Sequence, residues 1–142
     1  MATIKEIQEE IIDEFSLYDE WFDRYALLIE MGNTMEPLDE RYKTDTYLIE
    51  GCQSRVWLHA EYRDGLIWFD AESDAVIVKG IVMLLVKVFS GQSPDAILAS
   101  DTQFLDDIGL RENLSPTRSN GLLSMIKQMR LYALAFKSKE QV

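Results

Sequence analysis

The residue best equipped for chemistry is Cys52, the single cysteine of the chain, in the stretch "LIEGCQSRVW" from Leu48 to Trp57. Its neighbours Gly51, Gln53, Ser54 and Arg55 are polar and loop-like, which sets two readings side by side. A cysteine is usually buried as a small hydrophobe, whereas one in a polar loop with a cation nearby can be an accessible, reactive thiol. One cysteine rules out an internal disulfide and, within one chain, the paired-thiolate sites of zinc ribbons and most iron–sulfur ligation.

A cysteine hydrolase needs a base that makes the thiolate and a partner that orients the base. His59 is the only histidine. It lies on the strand-like run that follows the loop, and a strand rising about 3.3 Å per residue carries it away from the thiol. His59 therefore reads as a sheet-face residue, and hydrolysis is poorly supported. Thiol–disulfide exchange demands less: a thiolate attacking an already activated sulfur needs access and some electropositive help, which Arg55 can supply. A lone thiol without a resolving partner suits a carrier that receives a group and hands it on.

Two other constellations are weaker. Asp70, Glu72 and Asp74 in "FDAESDA" alternate as the first ligands of an EF-hand do, but Ala75 and Ile81 stand where that loop needs glycine and glutamate, so no metal site is expected. In "LSPTRSNG", Arg118 falls in the first turn of a helix, where a cation opposes the helix dipole. It either holds a carboxylate, Asp74 being the obvious candidate, or is simply exposed.

The elements that must position these groups follow from periodicity. Thr3 and Glu6 have capping-box spacing, and Ile4, Ile7, Ile11, Ile12 and Phe15 recur at helical intervals. A second helix runs through Trp21, Phe22, Tyr25, Leu28 and Ile29 and stops at Gly32 and Pro37. Tyr47 to Glu50 reads as a short strand. Val56, Leu58, Ala60 and Tyr62 alternate with polar and aromatic residues as a second, Asp64-Gly65 supplies a hairpin turn, and "LIWFDA" returns as a third. Ser73 is expected to cap a central, buried helix from Asp74 to about Phe89, ended by Gly91. Short helices follow at Pro94 to Ala99 and Thr102 to Ile108. Ser115 and Pro116 then open the last helix, with a buried stripe at Leu122, Ile126, Met129, Ala133 and Phe136. The expected architecture is one α+β domain over residues 1–142, with a small antiparallel three-stranded sheet packed against helices.

Composition narrows the partners. Of 142 residues 47% are hydrophobic, enough for a core, and the net charge of −11 repels nucleic acids and anionic membrane surfaces. No leader pattern opens the sequence, and the longest apolar run, Gly80 to Val86, is far below the roughly 20 residues of a membrane span. A soluble, cytoplasmic protein with basic protein partners is expected, with neither nucleic acid nor membrane among them.

Three segments, "GCQSRVW" (Gly51 to Trp57), "DAESDAVIVKG" (Asp70 to Gly80) and "LSPTRSNGLLSMI" (Leu114 to Ile126), occur in the order found in one family. The chain resembles the SufE family of sulfur-acceptor proteins from "PLDERYKT" to the final helix. The resemblance implies an α+β fold similar to IscU-type scaffolds and a pyridoxal-phosphate cysteine desulfurase (SufS-like) as partner. It implies a persulfide formed on Cys52, stimulation of the desulfurase, and delivery of the sulfur to an iron–sulfur scaffold, a SufB-containing complex. No cofactor of the chain's own is implied. By motif, Gly51 and Gln53 would shape the loop, with Arg55 beside it. Asp74, Lys79, Arg118 and Gly121 fall at the remaining signature positions, where Asp74 and Arg118 would support the loop or dock the desulfurase. Glu50 replaces the histidine of some members, a change that sets a negative charge beside the thiol. Asn120 replaces a glutamine. Two alternatives from other classes stay open: a partner that regulates a desulfurase without moving sulfur, and a cluster scaffold.

Overall fold

Asp64 and Gly65 both take positive φ, 55° and 79°, the backbone that a two-residue type I′ hairpin turn demands. They join strand β1 (Val56–Arg63) to strand β2 (Leu66–Ser73) in an antiparallel ladder whose register runs from Arg63↔Leu66 to Val56↔Ser73. Val56, Leu58, Ile67, Phe69 and Ala71 are buried from this hairpin. The computed structural model describes residues 2–52 and 54–140.

The sheet has two strands among the described residues, not the three expected. Asp45–Tyr47 forms a 3₁₀ turn instead of the start of a strand, and Leu48 meets β1 only through an isolated bridge to Trp57. With the turn on one side and Gly51 on the other, the segment is too short for a ladder. Its backbone is tied to β1 by the Ile49 N–H, donated to the Val56 carbonyl at 2.8 Å.

Helix α1 (Ile4–Phe15) starts in the expected capping box, with Thr3 and Glu6 each bonding the other's backbone N–H at 3.1 Å. Helix α2 (Trp21–Asn33) follows, and a 3₁₀ turn at Glu40–Tyr42 leads back over the sheet. Helix α3 (Val76–Phe89) is the central one, packed on both α2 and β2. It begins later than expected. Ser73 still belongs to β2, paired with Val56, and Asp74 precedes the helix, so neither caps it nor lies in its first turn. Helices α4 (Pro94–Ala99) and α5 (Gln103–Asp107) and a 3₁₀ turn at Arg111–Asn113 lead into α6 (Pro116–Glu140). Ser115 caps α6 as expected, its Oγ accepting the Arg118 N–H at 3.3 Å.

The contact of α2 with α3 is made backbone to backbone. A Cβ on Gly80 would lie 2.2 Å from the Leu28 carbonyl oxygen, and one on Gly32 would lie 2.8 Å from the Gly80 nitrogen. No side chain fits at either position without parting the helices, which fixes α3 and the residues it presents to its other neighbours.

Candidate functional site

The loop between Ile49 and Val56 is closed at its neck by their hydrogen bond and bends at Gly51, whose φ of 88° favours glycine. A Cβ there would also lie 2.6 Å from the Ser124 Oγ of α6. The bend turns Cys52 inward onto α6. Its Sγ donates to the Gly121 carbonyl at 3.7 Å, and the residue is half-buried.

Around the thiol lies a cleft of about 60 Å³. Val78 and Ile81 of α3 form one wall. Thr117, Gly121 and Met125, spaced four apart so that they share one face of α6, form the other, with Arg118 at the exposed rim. Gly121 is small where the thiol needs room: a Cβ there would sit 3.4 Å from Sγ. Burial pushes the Cys52 thiol up from its ordinary value, because the apolar walls disfavour the anion. At neutral pH the resting group is therefore a protonated thiol, an S–H donor rather than a nucleophile.

Of the residues singled out in the sequence, Cys52, Gly51, Arg118 and Gly121 come together here. Gln53 lies outside the described residues. Asp74 reaches the loop by a different route from the expected one: its Oδ1 accepts the Arg55 N–H at 3.0 Å, and its own N–H donates to the Arg55 carbonyl at 3.3 Å. It pins the returning leg through the Arg55 backbone, and among the described residues no carboxylate forms an ion pair with Arg118. Lys79 is not in the cleft. Its charge is a minor influence on Glu72, whose carboxyl burial alone would push up but which the Lys43 hydrogen bond, the Leu38 N–H and the charges of Lys43 and Lys79 together hold low.

His59 is buried away from the cleft, its ring stacked on Tyr42 with centroids 3.6 Å apart. Its Nδ1 has no hydrogen-bond partner, since Asp70 Oδ2 at 3.7 Å is too far for one. Among the described residues no three His, Cys, Asp or Glu side chains converge to hold a metal ion. Sequence reasoning missed Val78, Ile81, Thr117, Ser124 and Met125 as neighbours of the loop. The available signal was Gly121 inside an otherwise regular helix, which marks a close approach.

The profile of the SufE family, described as an Fe-S metabolism associated domain, matches residues 9–133. The chain belongs to the SufE family. It is 41% identical over 127 residues to an uncharacterized SufE-like protein of Rhizobium meliloti, covering 86% of this chain and 91% of that one. It is 32% identical to another from Synechocystis, over 96% and 86% of the two chains. It is also 38% identical to the Arabidopsis thaliana SufE-like protein 1, chloroplastic/mitochondrial, covering 92% of this chain but 36% of that longer one. The solution structure of a hypothetical protein from Thermus thermophilus shares the fold, with a TM-score of 0.75 at 21% identity over 91% and 94% of the chains. Membership of the SufE family ties this α+β chain to iron–sulfur metabolism. No helix among its described residues is long and apolar enough to cross a membrane.

Proposed function

We propose that Cys52 accepts sulfur from a pyridoxal-phosphate cysteine desulfurase of the SufS type, and that the chain stimulates this enzyme and passes the sulfur to a SufB-containing scaffold in the cytoplasm. The observation that carries the reading is the single thiol of a SufE-family chain, parked as an S–H donor on Gly121 in a cleft with spare room.

The chemistry requires the loop to leave that position. Withdrawal from the apolar walls lowers the cost of the anion, and Cys52 loses its proton to solvent or to the partner. The thiolate then attacks the terminal sulfur of the desulfurase persulfide. A new sulfur–sulfur bond forms on Cys52, the old one breaks, and the desulfurase cysteine departs as thiolate, with no net oxidation. Arg118 at the rim favours the anion, and return to the cleft shelters the product from stray thiols.

The decisive experiment is intact mass after incubation with an active cysteine desulfurase, pyridoxal phosphate and cysteine, without reductant, beside Cys52→Ser. Reducible sulfur-sized increments on the wild type alone are expected. Their absence while the desulfurase is still stimulated would leave a regulator that moves no sulfur.

A further inference from the structure

Two grooves meet on the far side of α3 from the thiol. One, of about 510 Å³, runs between α2 and α3 from Tyr18 to Thr34. The other, of about 420 Å³, continues over the sheet to Tyr42 and Asp70. Thr34 and Met83 line both, so they form one channel. Its relation to the thiol follows from helix geometry: Val78 and Ile81 face Cys52, whereas Met83, Val86 and Lys87 face the channel, about half a turn round α3.

The lining has a distinct chemistry. Met31, Met35 and Met83 contribute flexible, polarisable side chains that mould to varied apolar partners. Along the edges, Glu14, Glu30, Glu36, Asp39, Glu61 and Asp70 face two cations, Arg41 and Lys87. Arg41 is already engaged by Asp39 at 3.4 Å. At the Tyr18 end, Leu17 and Phe22 are 76% and 82% exposed. A methionine-floored channel with acidic edges suits an amphipathic helix whose polar face is basic. A net charge of −11 disfavours the other occupants, a second copy of the chain and an anionic membrane.

We infer that this channel is a second docking surface, taking a cationic amphipathic helix of a protein partner while Cys52 stays free. The inference does not rest on sulfur transfer by Cys52. Its probe is a fluorescent Leu/Lys peptide about four helical turns long, with a Leu/Glu counterpart, followed by anisotropy against the full chain. The Lys peptide is expected to bind, the Glu peptide not. Glu14→Lys with Glu30→Lys, and separately Met83→Gln, should each weaken binding about tenfold or more. Reversal of Glu9 and Glu112, both exposed and neither lining the channel, changes the net charge equally and should leave affinity within about twofold. Equal loss in that control would reduce the effect to bulk charge and overturn the inference. So would protection of Cys52 from alkylation by bound peptide, or concentration-dependent self-association abolished by Met83→Gln, which would give the channel to a second copy.

Discussion

Asp74 holds Arg55 at both ends of its backbone, accepting from its N–H at 3.0 Å and donating to its carbonyl at 3.3 Å. The contact needs an acceptor oxygen on the side chain and no charge. Asp74→Ala should free the returning leg of the Cys52 loop at a cost of about 1 kcal/mol, raising the rate of Cys52 alkylation about fivefold. Asp74→Asn keeps the oxygen and should stay near wild type. A large effect of the Asn variant would point to an ionic role instead. Iodoacetamide kinetics distinguish the two.

The raised pKa of Cys52 gives a pH signature. The folded chain favours the neutral thiol, so stability from this group is complete below the unfolded-state value and is lost as pH rises through the higher folded value. Alkylation of native protein should therefore reach half its plateau at higher pH than alkylation of the same thiol in urea. Coincident midpoints would mean that the thiol is not sheltered at rest.

The two glycines where the loop meets α6, Gly51 in the loop and Gly121 in the helix, should behave differently. Gly51→Ala meets both a φ of 88° and the Ser124 Oγ. Ser124→Ala should relieve the contact but not the backbone, leaving a loss of about 1–2 kcal/mol in chemical denaturation. Gly121→Ala brings only an ordinary contact with Sγ and gains helix propensity, so it should be neutral or up to about 1 kcal/mol stabilising. Gly121→Leu fills the cleft and should expose Cys52, read as a rise of about tenfold in alkylation.

His59→Phe tests whether the only histidine does chemistry. Its ring packs on Tyr42, and its buried Nδ1 lacks a partner, so removing that atom should be neutral or stabilise by about 1 kcal/mol. Sulfur loading of Cys52 should be unchanged. A loss of loading without a loss of thermal stability would bring His59 back into the mechanism.

Local signals were legible wherever one or two residues decide the backbone: the Thr3–Glu6 box, the Asp64-Gly65 turn, Pro94 to Ala99, and the Ser115 cap. The errors arose where tertiary partners compete for the same residues. Ser73 and Asp74 resemble a helix start, but Val56 recruits the first into β2 and Arg55 recruits the second. Tyr47 to Glu50 has strand-forming residues but pairs only at Leu48. The cysteine loop was readable from its own neighbours, whereas its walls come from α3 and α6, and no local pattern encodes which of their faces turn toward it.

The meeting of Gly32 with Gly80 reaches beyond the stability of two helices. Because the backbones touch, a side chain at either position must displace α3, and with it Val78 and Ile81, the wall of the thiol cleft. A change far from the cysteine would then alter how its sulfur is housed. The seam is thus the datum from which the cleft is measured, since it sets how far the α3 wall stands from the cysteine loop.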